Sequence, residues 1–311
     1  MSQETEYALF AGTSHPELAK QIARSLGISL GKARIELFPD GEIGVQIQES
    51  VRGRDVFIVQ TMARNPNFYL MELLILVDAM KRASARSIIA VLPYYGYARQ
   101  DRRGKAREPI TAKLVADLLQ TAGVTRVLTM DLHTEQIQGF FDIPVDNLYA
   151  RSILVETLSK QKMDHCVVVT PDIGSIKMAR GYAEALKVDL AIVDKRRVSA
   201  RQVEMAALIG DVKGKDVLLV DDMCSTGGTL KTAARVCRQA GAKRIFAAVT
   251  HGLFVGTGLE DSGIEKIVMS NTVPTPETVG RESLEVVSVA PLFAKAIESI
   301  VGAKSISSLS E

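Results

Sequence analysis

The chain has 311 residues, 47% hydrophobic, 24% charged and 5% aromatic, a composition that excludes a disordered or fibrous protein. Lys and Arg total 38 against 36 Asp and Glu, a formal net charge of +2, so a globally basic nucleic-acid binder is excluded and any anion site must be local. Cys166, Cys224 and Cys237 are too few and scattered for a disulfide framework, and no C-x-x-C pair occurs, which points to a reducing, cytoplasmic compartment. The segment MSQETEYALFAG has neither the basic nor the apolar region of a signal peptide. Apolar runs such as Leu73–Val77 and Ile88–Leu92 fall short of the ~20 residues of a membrane span. No membrane and no nucleic-acid partner is expected.

In chain order, FPDGE (38–42) reads as a turn between apolar runs, in the manner of a hairpin. A strand is predicted at Val56–Gln60, a helix at Tyr69–Ala83 and a strand at Ser87–Leu92. A Tyr- and Gly-containing loop with the basic run RQDRR (99–103) follows, then a helix at Thr111–Ala122 and a strand at Arg126–Met130. The second half offers strands at Cys166–Thr170, Leu190–Val193, Val217–Val220, Arg244–Val249 and Lys266–Met269. Helices are predicted there at Ile173–Ala185 and Thr229–Ala240. Strands that are apolar throughout suggest a parallel sheet covered on both faces, and their alternation with helices argues for an α/β architecture.

A weak internal repeat divides the chain in two. VFIVQTM (56–62) resembles VLLVDDM (217–223), ASARSIIAVL (83–92) resembles AGAKRIFAAV (240–249), and VTRVLTMDLH (124–133) resembles IEKIVMSNTV (264–273). The pairs occur in the same order, about 140–160 residues apart, with a join near residues 144–152; chance similarity between βα units is the plainer alternative. Only the second copy carries acids at the strand end, Asp221-Asp222 where the first has Gln60-Thr61.

The most informative stretch is VLLVDDMCSTGGTL (217–230): an apolar strand, two acids, a loop of small residues, then a helix. At the carboxyl end of a parallel strand this loop stands where open α/β sheets bind ligands. Ser225, Thr226, Gly227, Gly228 and Thr229 offer backbone amides and hydroxyls at a helix N-terminus, a cradle for phosphate. Asp221 and Asp222 would repel phosphate but accept hydrogen bonds from a diol, so the pairing fits a sugar phosphate. No G-K-[ST] follows, so it is not a Walker A loop; an ordinary capped strand–turn–helix is the alternative.

This loop resembles the phosphoribosyl-diphosphate signature of type I phosphoribosyltransferases and of ribose-phosphate diphosphokinases. FPDGEIGVQI (38–47), YYGYARQDRR (94–103), MDLHTEQIQGFFDIPVDNL (130–148), VTPDIGSIKMAR (169–180) and VDKRR (193–197) are all similar to the diphosphokinase family, in its order and over nearly the whole chain. The resemblance implies two tandem type I phosphoribosyltransferase-like domains with mainly parallel sheets, an ATP side at 1–147 and a ribose 5-phosphate side at 148–311. It also implies transfer of the β,γ-diphosphoryl group of ATP to the anomeric hydroxyl of ribose 5-phosphate, and a homo-oligomer, commonly a hexamer.

By the same resemblance Phe38 stacks on adenine, while Asp40 and Glu42, flanking Gly41, accept from its amino group and come from a neighbouring subunit. Arg99, Gln100 and Arg102 bind ATP, where a basic run alone would read as a solvated face. His133 and Asp172 hold Mg2+, although a lone His is otherwise a structural residue and magnesium prefers oxygen ligands. Lys195 is catalytic and Arg197 contacts substrate; in isolation they read as a solvated basic turn before the polar stretch VSARQVEMA. The chain departs from the family pattern DDM-x-D-T-x-G-T by carrying Ser225 in place of a third acid. Two rival readings remain from the residues: a phosphoribosyltransferase acting on a nucleobase, and a non-catalytic regulatory relative.

Overall fold

A computed structural model describes residues 6–196, 205–256, 259, 261–276, 283–306 and 309, the side chains of 195, 196, 205 and 206 excepted. It divides into two α/β units, each with a mainly parallel sheet.

The first unit begins with β1 (Tyr7–Ala11) and α1 (Pro16–Ser25), continues through the antiparallel hairpin β2 (Ala33–Leu37) and β3 (Ile43–Ile47), and enters β4 (Asp55–Val59) and α2 (Pro66–Arg82). It is completed by β5 (Ser87–Leu92), α3 (Thr111–Ala122), β6 (Arg126–Met130), a 3-10 turn at Glu135–Phe140 and β7 (Val145–Leu148). Its sheet has the order β1-β4-β5-β6-β7, every neighbouring pair parallel. Val56, Ile58, Ile88, Ala90 and Leu92 bury against Leu73, Leu76, Val77 and Met80 of α2 and Val115, Ala116 and Leu119 of α3. Each fully buried aliphatic side chain contributes about 1.5–3 kcal/mol, which outweighs the modest helix preference of these segments taken alone.

The second unit holds α4 (Arg151–Leu158), β8 (Val167–Thr170), α5 (Ile176–Leu186), β9 (Asp189–Arg196) and β10 (Met205–Ile209). After these come β11 (Asp216–Cys224), α6 (Gly228–Gln239), β12 (Arg244–Gly252), β13 (Lys266–Ser270) and β14 (Leu284–Val287). The sheet order is β10-β9-β8-β11-β12-β13-β14, parallel except for β10 on β9. Every residue of β11 is buried, as expected of a central strand covered on both faces. The last helix, α7 (Ala290–Val301), returns to the first unit and packs on α1, with Ser288 Oγ donating to Gln21 Oε1 at 2.6 Å.

The eight predicted strands and four predicted helices all lie on observed elements, with shifted ends. The helix expected at 69–83 starts at Pro66, because proline is well suited to a first helical turn, where its missing N–H is not needed. The helix expected at 173–185 starts only at Ile176, because residues 171–175 form a loop used by the site below. The three repeated segments fall on β4 and β11, β5 and β12, and β6 and β13, at matching places in the two sheet orders. The units depart from a contiguous split at 147/148. The first runs to Tyr149 and regains Thr272–Pro274 and the described residues from Ser288 onward, the last because α7 buries Leu292, Phe293 and Ile297 there.

Candidate active site

In the second unit two loops meet at the carboxyl ends of β8 and β11. Asp221 and Asp222 follow the apolar run Val217–Val220 of β11 and are each only 6% exposed. Asp221 Oδ1 accepts the Asp222 N–H and the Ser175 hydroxyl, both at 3.0 Å. Burial, and then the charges of Asp222 and Asp172, push the Asp221 carboxyl well above the usual carboxylate range; the Ser175 bond acts the other way. Asp172 is held in turn: its Oδ1 accepts the Ser175 N–H at 3.1 Å, and its carbonyl accepts the Thr170 hydroxyl at 2.7 Å.

The chain then turns into α6. Gly227 sits at φ +84°, a left-handed conformation that a side chain would strain, and its carbonyl accepts the Lys231 N–H at 2.9 Å. Gly227 has no side chain with which to cap α6 and no acid lies in the first turn, so the amides of that turn suit an anion. Thr226 and Gly228 are exposed, Ser225 and Thr229 half-buried. The loop is clamped from behind: Cys224 O accepts Leu253 N at 2.9 Å and Phe254 N at 3.1 Å, and Ser225 O accepts Val255 N at 2.9 Å. Burial, and then the Asp221 charge, push the Cys224 thiol up to about 12, so it stays a neutral packing group.

The corresponding strand end of the first unit is closed on itself. Gln60 Oε1 accepts from Ser14 N (3.3 Å) and Ser14 Oγ (2.6 Å), and its Nε2 donates to Tyr69 O (3.1 Å) and Glu72 Oε1 (2.7 Å). Glu72, fully buried, also accepts Thr13 N at 2.7 Å and Thr13 Oγ1 at 2.6 Å. A Cβ on Gly12 would stand 2.4 Å from Gln60 Oε1, so only glycine fits there.

Elsewhere in that unit, Arg99, Gln100 and Arg102 are exposed on the loop after β5. Gln100 is fixed by its carbonyl, which accepts Ala112 N at 3.2 Å, and by its Oε1, which accepts Thr111 Oγ1 at 2.5 Å. His133 is exposed on the loop after β6, which starts at Asp131 with φ +38°. That loop is braced by Leu132 N donating to Asn147 Oδ1 (3.2 Å) and Thr134 Oγ1 donating to Asp101 Oδ2 (2.9 Å). The Asp101 bond ties the arginine loop to the histidine loop. The FPDGE segment closes the β2–β3 hairpin: Phe38 N donates to Glu42 O at 2.8 Å, Glu42 N donates to Asp40 Oδ1 at 3.1 Å, and Gly41 takes φ +93°. Phe38 is 44% exposed, its ring lying over Gly44, where a Cβ would meet it at 2.9 Å.

Thus Asp172, Asp221, Asp222 and the 225–229 loop come together in the second unit, and Arg99, Gln100 and the His133 loop in the first. Lys195 lies on β9 with its backbone paired to Ala206, while Arg197 lies outside the described residues. Among the described residues no three His, Cys, Asp or Glu side chains converge to enclose a metal ion. Of the two expected ligands, Asp172 offers the hard carboxylate oxygen that magnesium prefers, whereas the imidazole of His133 is a softer donor. Ser175, Asp101 and Asn147 are not singled out by the sequence. Ser175 falls inside the helix expected at 173–185, where nothing marks it, and the partners of the other two are 33 and 15 residues away.

Comparison with known proteins settles the family. The sequence model of the N-terminal domain of ribose phosphate pyrophosphokinase matches residues 7–123, and that of the phosphoribosyl transferase domain matches 144–277. The chain is 51% identical over 306 residues to a ribose-phosphate pyrophosphokinase of Wolinella succinogenes, covering 97% of this chain and 98% of that protein. It belongs to the ribose-phosphate pyrophosphokinase family. A relative of that name from Clostridium perfringens is 52% identical over 307 residues, covering 97% of this chain and 96% of the relative. The crystal structure of phosphoribosylpyrophosphate synthetase from Mycobacterium smegmatis superposes with a TM-score of 0.91 at 42% identity, over 96% of this chain and 100% of that one. As a ribose-phosphate pyrophosphokinase family member the chain is an enzyme with two phosphoribosyltransferase-type α/β units.

Proposed function

We propose that the protein transfers the β,γ-diphosphoryl group of ATP to the anomeric hydroxyl of ribose 5-phosphate, giving 5-phosphoribosyl 1-diphosphate and AMP. The observation that carries this reading is the buried pair Asp221–Asp222 running directly into the uncapped start of α6. Carboxylates accept from the ribose diol, and the amides and hydroxyls of Ser225, Thr226, Gly227, Gly228 and Thr229 receive the 5-phosphate. Arg99, Gln100 and Arg102 take the triphosphate of ATP, and Phe38, with Asp40, Gly41 and Glu42, receives the adenine of ATP bound by a neighbouring subunit of a homo-oligomer, a hexamer in this reading. Lys195 and Arg197 neutralise charge on the diphosphoryl group in flight; such stabilisation is worth most where water is excluded. Mg2+ is the cofactor, held by Asp172 and His133, and when bound it offsets charge on the β- and γ-oxygens. Asp172 suits it as an oxygen ligand, His133 less so.

No described helix is long and apolar enough to cross a membrane. The absence of disulfides among three free cysteines supports a cytoplasmic setting. Incubation with ATP, ribose 5-phosphate and magnesium should release AMP; no AMP at any phosphate concentration overturns the proposal.

A further inference from the structure

Serine is a favoured N-cap because its hydroxyl can accept an N–H of the first helical turn. Ser175 occupies the N-cap position of α5, yet its side chain makes no capping bond. Its carbonyl accepts the first helical bond, from Ala179 N at 3.0 Å, so the position is a true helix start with the hydroxyl diverted elsewhere. That hydroxyl donates to Asp221 Oδ1 at 3.0 Å, 46 residues away, while the Ser175 amide donates to Asp172 Oδ1 at 3.1 Å. One residue therefore bridges the loop after β8 and the acidic pair of β11. Gly174 lets the bridge form, since a Cβ there would stand 3.2 Å from Asp172 Oδ1.

We propose that Ser175 is a positioning residue for sugar-phosphate binding, fixing Asp221 and Asp172 in one register so that Asp221 meets the ribose diol in a preset orientation. The inference rests on the ribose 5-phosphate reading of this loop and adds a specific determinant to it. With Oδ1 engaged by the Ser175 hydroxyl and the Asp222 amide, rotation of the Asp221 carboxylate is restrained before substrate arrives. Ser175 touches no reacting atom in this scheme, so its loss should fall on ribose 5-phosphate and not on ATP.

Steady-state kinetics on the full chain with magnesium test this. Ser175→Ala should raise the KM for ribose 5-phosphate about tenfold, the effect of one lost hydrogen bond to a charged group, with kcat and the KM for ATP within about twofold. Ser175→Thr keeps the hydroxyl and should recover to within about threefold of wild type. Isothermal titration with ribose 5-phosphate alone should reproduce the loss in Ser175→Ala, and the loss should vanish in an Asp221→Ala background, which has no acceptor for the Ser175 hydroxyl. Three results overturn the proposal: no change in Ser175→Ala, no recovery in Ser175→Thr, or an undiminished loss in the Asp221→Ala background. Wild-type protein that binds ribose 5-phosphate without forming AMP overturns the proposed reaction instead, and the calorimetry still decides the role of Ser175.

Discussion

Ser225 begins the phosphate loop half-buried, and the contact that fixes it there is its carbonyl on Val255 N, which any side chain would preserve. Ser225→Asp is therefore expected to keep activity within about tenfold, or ~1.4 kcal/mol, despite the added charge beside a dianion. Asp221→Asn and Asp222→Asn should do more damage, since an amide offers the ribose hydroxyls a donor where an acceptor is wanted. Turnover and the ribose 5-phosphate KM of the three variants give the order, and Ser225→Asp as the worst would refute these roles. Asp172→Ala should raise the magnesium concentration needed for half-maximal rate, with His133→Ala following only if the imidazole is a ligand; magnesium titrations separate the two. Residue identities at the site were legible because acids, small residues and a helix start are adjacent in sequence. What fixes them was not, because Ser175 reaches Asp221, and Thr134 reaches Asp101, through backbone folding that no local pattern encodes.

Among the elements, β11 and β12 are bound at their first residues by a charge pair. Arg244 Nε donates to Asp216 Oδ1 at 3.1 Å and its Nη2 to Asp216 Oδ2 at 2.5 Å, while Asp164 N donates to Oδ2 at 2.6 Å. Burial works to raise the Asp216 carboxyl, but these bonds outweigh it and hold the group below its usual range. A carboxyl depressed in the folded state lends stability above the unfolded-state range, and that stability disappears as pH falls through the folded value. Arg244→Leu should therefore lower stability near neutrality and move acid unfolding to higher pH, as thermal melts from pH 7 down to pH 3 would record. Central strands were readable because burial on both faces makes them apolar throughout. β7 and β14 escaped notice as short edge strands of mixed polarity, and α1 because its PELAKQIARS sequence is largely polar outside its buried Leu18, Ala19, Ile22 and Ala23.

Across the whole molecule the runs β1-β4-β5-β6-β7 and β8-β11-β12-β13-β14 correspond strand for strand; the antiparallel pairs β2–β3 and β9–β10 share a place in chain order, but β2–β3 is a separate sheet whereas β9–β10 extends the second unit's sheet beyond β8. The Phe38–Glu42 turn joins β2 to β3, the pair that precedes β4 in the chain as β9 and β10 precede β11. The same frame carries an open loop in one copy and, in the other, the sealed Gln60–Glu72 network. That difference was visible in sequence only as Gln60-Thr61 against Asp221-Asp222; Glu72, 12 residues on, gave no sign that it would plug the strand end.

The return of α7 to α1 sets a condition on the order of biosynthesis. Ala290, Leu292, Phe293, Ala294, Ala296 and Ile297 are all buried, yet they are translated after the entire second unit. A nascent chain holding only the first 149 residues must leave the α1 side of its first unit bare, an aggregation hazard until α7 has been synthesised. A fragment of residues 1–149 should bind a fluorescent hydrophobic dye and melt below the intact protein, and a synthetic peptide of residues 288–311 should reverse both. A fragment that neither binds dye nor responds to the peptide would mean that the first unit matures without its latecomer.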